Sequence, residues 1–117
     1  MKKSVEIYLQ DIIDSNELIE RRFKNVTQEV FEDDIDLQDM IVHRLGIIGE
    51  AVKNIPKEFR DARPEVPWHR PAGMRDKLIH HYDSIDLTVV WDTINEGLPP
   101  LVKEIRKLLE EMKAQPE

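Results

Sequence analysis

Residues 36–56, with the sequence DLQDMIVHRLGIIGEAVKNIP, carry the clearest structural pattern in this chain. Their apolar side chains recur at steps of three and four residues, which is the spacing of one face of an α-helix. These side chains are Leu37, Met40, Ile41, Leu45, Ile48, Ala51, Val52 and Ile55. Pro56 cannot continue a helix and ends the pattern. Gly46 and Gly49 lie inside it, each at a cost of about 1 kcal/mol relative to alanine, so we interpret them as places where another helix or a partner chain packs closely.

The same helical spacing continues on both sides of this segment. It predicts an amphipathic helix over residues 2–24, a short helix over 86–96 that Gly97 stops, and a last helix that Pro99 and Pro100 open. No segment alternates with the two-residue period of a β-strand. We therefore expect an all-α fold, a helical bundle of about four to six helices. The 117 residues are enough for one hydrophobic core, so 1–117 is expected to be a single domain.

Two connections in the predicted bundle have distinctive compositions. Residues 32–39 hold five acids, one of which is expected to cap the helix over 36–54. A divalent metal is the less favoured alternative there, because the stretch lacks the glycine and ligand spacing of a calcium loop. Residues 60–71 hold three prolines, which predict a stiff connection, and Pro71 is placed in the first turn of the next helix.

Net charge and composition exclude several classes of protein. The net charge of −7 argues against indiscriminate binding to nucleic acid, and the absence of cysteine excludes disulfides and thiolate metal sites. No apolar run approaches the roughly 20 residues that a membrane span needs, and the basic N-terminus lacks the apolar core of a signal peptide. A cytoplasmic protein is expected. Residues 60–81 carry a local excess of two positive charges, a weak signal because such segments arise by chance.

The segment 75–82, RDKLIHHY, places more acid–base groups on one predicted helix than its core requires. Asp76 and His80 are four residues apart, so the carboxylate is expected to orient the imidazole as a base. Arg75 and Tyr82 share a stripe two turns apart, while His80 lies about 140° around the helix from Arg75. A single copy therefore separates these groups. A twofold dimer that packs two such helices together would bring them to one phosphate.

Such a set of groups suits the cleavage of an RNA phosphodiester by its own 2′-hydroxyl, without a metal or another cofactor. One imidazole would remove the 2′ proton, another would protonate the departing 5′ oxygen, and the guanidinium would stabilise charge on the phosphate. The alternative is an exposed helix end, with His80 and His81 favoured there by the helix dipole and Arg75 paired to an acid. Arg-x4-His is a short pattern, so spacing alone leaves both interpretations open.

The arrangement Arg-x4-His-x-Tyr, formed by Arg75, His80 and Tyr82, resembles the signature of the HEPN superfamily, and the flanking sequence resembles its HepT-like toxin branch. The resemblance covers residues 40–101. The N-terminal and C-terminal helices resemble the family only in being amphipathic helices, without a matching motif. It extends through IIGEAVKN (47–54), PW (67–68), GMR (73–75), YDSIDLTVVW (82–91) and LPPL (98–101).

This resemblance implies a HEPN-type bundle that dimerises through the motif helix, and a metal-independent ribonuclease in which Arg75 and His80 are catalytic. Asp76 would occupy the polar position after the motif arginine, where the family often has asparagine. His81 stands at a variable position, where we favour a role in solvating the helix end over that of a second imidazole. The resemblance also implies an MNT-type nucleotidyltransferase antitoxin that transfers AMP to Tyr82, placing bulk and negative charge where RNA phosphate would bind.

Three functions compete at this point. The leading one is a toxin ribonuclease that acts on tRNA or mRNA. The alternative is a non-catalytic partner subunit of a nucleotidyltransferase, which binds a nucleotide or substrate and uses Arg75 to hold phosphate. The third is a scaffold dimer. For the remaining residues we expect packing roles for Trp68 and Trp91, a helix-surface position for Glu50 and a structural role for His43.

Overall fold

All regular structure in the described part of the chain is helical. The computed structural model describes residues 4–69 and 86–114. The elements are α1 (Val5–Phe23), α2 (Gln28–Asp33), α3 (Ile35–Asn54), α4 (Lys57–Asp61), α5 (Leu87–Asp92), a π-helical turn (Thr93–Gly97) and α6 (Leu98–Ala114). The prediction of an all-α fold is confirmed, and the elements agree with a HEPN-type bundle. None of the described helices is long and apolar enough to cross a membrane.

Helix α1 packs most extensively against α3 and also packs against α6. The apolar stripes read from the sequence are the faces that meet, because only these faces can leave water on packing. The side chains with no exposed surface include Leu9, Ile12 and Ile19 of α1, Ile41, Ile48 and Val52 of α3, and Ile105 of α6. Each such side chain contributes about 1.5–3 kcal/mol when it is fully buried.

Two side chains cap the helices that follow α1. The Thr27 hydroxyl accepts a hydrogen bond from the Val30 N–H (3.2 Å), and the Asp34 carboxylate accepts one from the Leu37 N–H (3.0 Å). The expectation that an acid of the 32–39 stretch caps the next helix is therefore confirmed. Helix α2 was not predicted, because its six residues are too few to show a helical repeat. Asn25, in the turn before it, has a φ of 64°, which asparagine adopts more readily than most residues.

The prediction that Gly97 stops a helix is wrong. Helix α5, the π-helical turn and α6 follow one another without a break, and Gly97 lies buried in the turn. The Leu98 N–H donates to the Thr93 carbonyl, five residues earlier. Pro99 and Pro100 have no N–H to donate to the carbonyls four residues earlier, so the α-helical hydrogen-bond pattern is interrupted. The π-helical turn, with hydrogen bonds to the fifth residue before, joins α5 to α6 at this point.

The two glycines of α3 differ in their surroundings. Gly49 is buried, as close packing requires. A Cβ added at Gly46 would meet no atom of residues 4–69 and 86–114 within 4 Å. No helix of the described residues packs closely at Gly46, so the interpretation that another helix or a partner chain packs there stays a prediction.

Candidate functional site

The residues predicted to form the site all lie outside the described residues, together with the predicted helix start at Pro71. They are Arg75, Asp76, His80, His81 and Tyr82. Their proximity stays a prediction. The geometry of the site can be built only from the described residues that flank this segment, on one side up to His69 and on the other from Asp86.

Upstream of the segment, Trp68 fixes the chain to the core. Its side chain is 4% exposed, and its indole N–H donates to the Arg63 carbonyl at 3.1 Å. The indole meets the Phe59 ring edge-on, with centroids 6.5 Å apart. Val66, two residues earlier, is also buried. The packing role expected for Trp68 is confirmed, and its burial excludes it as a platform for stacking RNA bases.

Two arginines upstream of Trp68 stabilise the same stretch of chain through hydrogen bonds to backbone carbonyls. The Arg60 Nε donates to the Ile55 carbonyl (3.2 Å), and an Arg63 Nη donates to the Phe59 carbonyl (3.3 Å). The Arg63 guanidinium also lies over the Phe59 ring, 3.7 Å from its centroid, as a cation–π contact. Sequence reasoning counted these arginines only as charges. It missed their structural role because their partners are backbone carbonyls, which no residue type reveals.

A third cation of this region is paired in a simpler way. The Lys57 Nζ donates to Asp61 at 2.7 Å across one turn of α4. This hydrogen bond, and then the charge of Asp61, raise the pKa of Lys57 above its usual range. Both side chains are exposed, so we assign the pair little weight in stability.

Downstream of the segment, Asp86 and Trp91 fix the chain again. The Asp86 carboxylate accepts hydrogen bonds from two backbone N–H groups in the first turn of α5, at 2.9 and 3.3 Å. Trp91 then packs against Phe23 and Phe31, with ring centroids 5.4 and 5.8 Å away. The packing role expected for Trp91 is confirmed. The predicted catalytic segment thus connects two stretches that are each attached to the bundle by a tryptophan.

The other two residues singled out from the sequence, Glu50 and His43, lie on α3. Glu50 is exposed on α3, as expected for a helix-surface carboxylate. His43 is exposed as well, so the structural role expected for it is not supported by burial. Within residues 4–69 and 86–114, no group of three His, Asp or Glu side chains is placed to hold a metal ion.

Comparison with known families assigns this sequence to one of them. The sequence profile of the family described as "Ribonuclease HepT-like" matches residues 12–108. The chain belongs to the HepT-like family. The matched span begins within α1 and ends within α6, so it includes both tryptophan-anchored flanks and the segment 70–85 between them. The resemblance to the HepT-like branch of the HEPN superfamily is confirmed.

Relatives of this HepT-like chain carry ribonuclease names. It is 44% identical over 108 residues to the "Probable ribonuclease HepT" of Thermococcus cleftensis, a match that covers 92% of the chain and 98% of that protein. It is 42% identical over 111 residues to a protein of Caldanaerobacter subterraneus named as a candidate RNase (TTE0752). This match covers 95% of the chain and 99% of that protein.

One relative is a longer protein. It is a Methanocaldococcus jannaschii protein named as a gamma-glutamylcyclotransferase and candidate RNase (MJ0434), 44% identical over 112 residues. The match covers 96% of the HepT-like chain but spans only half the length of that relative. The search of solved structures found no significant match.

Proposed function

We propose that this chain is a metal-independent endoribonuclease and the toxin of a toxin–antitoxin pair. The observation that carries the proposal is similarity over nearly the whole chain to proteins named as ribonucleases, with Arg75 and His80 inside the matched span. We also propose that residues 1–117 act as one domain in the cytoplasm.

The proposed reaction is attack of an RNA 2′-oxygen on its own 3′-phosphorus. His80 takes the 2′ proton, a P–O bond forms to the 2′-oxygen, and the bond to the 5′-oxygen breaks as that oxygen gains a proton. The products are a 2′,3′-cyclic phosphate and a 5′-hydroxyl. Arg75 donates hydrogen bonds to the phosphate oxygens, where charge accumulates, and Asp76 orients the His80 imidazole. The nucleophile belongs to the substrate. One His80 imidazole accepts the 2′ proton, and the protonated imidazole of His80 of the partner subunit, in the dimer proposed below, donates a proton to the 5′-oxygen, so the scheme needs no metal.

Purified protein and His80→Ala test this scheme with a labelled RNA in the presence of EDTA. We expect cleavage by the native chain and a loss of about 10²–10⁴-fold in the variant. His43→Ala is the matched control, because His43 is an exposed histidine on α3. Cleavage that persists in His80→Ala, or that EDTA abolishes in the native chain, would defeat the proposal. Binding of nucleotide without any cleavage would instead favour the partner-subunit alternative.

We propose that the active form is a homodimer whose motif helices meet. The support is geometric: on one helix Arg75 and His80 diverge by about 140°, whereas two facing helices bring both groups to one cleft. Sedimentation and cleavage are measured over the same range of protein concentration. Specific activity should fall where the dimer dissociates, and constant activity in a population of monomers would contradict this arrangement.

We propose further that an MNT-type nucleotidyltransferase neutralises the toxin by transferring AMP to Tyr82. Incubation of the two proteins with ATP should add the mass of one AMP to the chain and stop RNA cleavage. Tyr82→Phe, which lacks the acceptor oxygen, should gain no mass and remain active. Inhibition of Tyr82→Phe to the same extent would show that neutralisation does not depend on this tyrosine.

A further inference from the structure

Negative charge is concentrated at the corner where α2 meets α3. Between Asn25 and His43 the chain has six carboxylates and no lysine or arginine. They are Glu29, Glu32, Asp33, Asp34, Asp36 and Asp39. No ion pair joins any of the six to a cation in the described ranges. All but Asp34 are exposed, so five carboxylates of α2 and the N-terminal part of α3 are accessible to solvent.

Two large aliphatic side chains are exposed among these carboxylates. Val30 is 52% exposed and Ile35 is 70% exposed. They border a shallow concave surface of about 510 Å³, whose other lining residues are Asp33, Asp34 and Asp36. Residues 30–36 are called the acidic corner below. Exposed aliphatic groups rimmed by charge are typical of a surface that another protein covers.

The backbone of the acidic corner is held in place by hydrogen bonds. Asp34 caps α3, and the Gln38 side-chain amide donates to the carbonyls of Phe31 (2.9 Å) and Glu32 (3.0 Å). Phe31 itself has no exposed surface and packs in the core. A surface fixed in this way loses little conformational entropy when it binds, which favours specific docking.

Charge decides which occupant fits. Nucleic acid is repelled by the four carboxylates of the acidic corner and by Glu29 and Asp39 on either side of it in the sequence, and a twofold dimer through this corner would set like charges against each other. We propose that the acidic corner docks a basic segment of a different protein, with one of its aliphatic side chains between Val30 and Ile35. Lysine or arginine side chains of that segment face Asp33 and Asp36. This proposal does not depend on the ribonuclease scheme.

The occupant is identified by a photo-cross-linking residue, p-benzoylphenylalanine, placed at Ile35 and expressed in the cells from which the gene comes. The control carries it at Glu111, an exposed position on α6. We expect one protein to cross-link from position 35 and not from 111, through a peptide rich in lysine or arginine. Failure to cross-link above the control, or a cross-link to RNA or to a second copy of this chain, would overturn the proposal.

Binding of the purified, identified protein is then measured for two variants with the same change of charge. Asp33→Lys with Asp36→Lys should weaken binding at least about tenfold, while Glu110→Lys with Glu111→Lys, exposed on α6, should change it less than about twofold. Ile35→Ser should weaken it about tenfold by removing the aliphatic contact. Thermal melting confirms that each variant folds. Equal effects of the two charge reversals would mean that only net charge matters and would refute a docking site.

Discussion

The charged side chains of the acidic corner are all negative, whereas the segment 55–69 has three cations and three carboxylates, and the two regions use their charged groups differently. At the corner the carboxylates face solvent without a described cation beside them, apart from the cap made by Asp34. In the segment, Arg60 and Arg63 donate to backbone carbonyls and help to hold a buried tryptophan in place. Charge at the corner is available to a partner, whereas charge in the segment is part of the fold.

The two regions lie at opposite ends of α3, which begins at Ile35 and ends at Asn54. A helix of this length spans about 30 Å, several times the distance over which salt screens exposed charges. RNA is therefore expected to approach the end that leads to Arg75 and to avoid the corner. The predictions below test how far the two regions differ, beginning with the anchoring of the segment 55–69.

Trp68→Ala should have the largest effect on stability. Removing a buried indole leaves a cavity and deprives the Arg63 carbonyl of its donor, so we expect the free energy of unfolding to fall by about 3–5 kcal/mol. Trp68→Phe, which keeps an aromatic ring but not the N–H, should lose less. Urea denaturation measures both. A single hydrogen bond contributes about 1 kcal/mol. If Trp68→Ala lowered the free energy of unfolding by less than about 1 kcal/mol, Trp68 would not anchor this segment to the core.

Arg75→Ala should lower the rate of RNA cleavage by about 10²–10³-fold, since a donor to the developing phosphate charge is lost. Arg75→Lys should recover only part of the rate, because an ammonium group cannot make the paired hydrogen bonds of a guanidinium. Arg106→Ala, at an exposed position on α6, is the control and should cleave at the native rate. Wild-type rates in Arg75→Lys would argue that only the charge at this position is needed.

Asp34→Ala tests the acidic corner as a structural element. Loss of the cap leaves the Leu37 N–H without its acceptor, so we expect about 1 kcal/mol less stability. Asp34→Asn, which can still cap, should be close to native. Denaturation of the two variants at one salt concentration separates the cap from the charge. Equal losses would mean that the negative charge, rather than the hydrogen bond, stabilises α3.

Gly46→Ala, between the two regions, should have the smallest effect and the opposite sign. The added methyl group meets no atom of the described part of the chain within 4 Å, and alanine favours a helix over glycine, so stability should rise by about 0.5–1 kcal/mol. Gly49→Ala, at the buried glycine, is the comparison and should destabilise. If Gly46→Ala also weakened a homodimer, the partner-chain interpretation of this glycine would be supported.

The helices with long apolar stripes could be predicted from the sequence, and the features without a repeat could not. Seven of the eight apolar positions quoted for residues 36–56 are buried, and Met40 is partly so. Helices α2 and α4 were missed because six and five residues hold no full repeat. For the candidate site, residue types, spacing and the family resemblance predict Arg75 and His80 as catalytic, which stays a prediction, and the family match supports the reaction class. Residue spacing could not predict the contacts of Trp68 and Trp91 that attach the stretches on either side of the segment 70–85 to the bundle.

By itself the sequence determined that this chain is an all-α member of the HepT-like family, because helical periodicity and motif spacing are properties of neighbouring residues. Only the tertiary structure decided that Trp68 closes onto the Arg63 carbonyl, that α5 continues into α6 through a π-helical turn, and that Val30 and Ile35 stay exposed amid carboxylates. These outcomes depend on backbone groups and surfaces that meet in space, and a helical repeat contains no information about such partners.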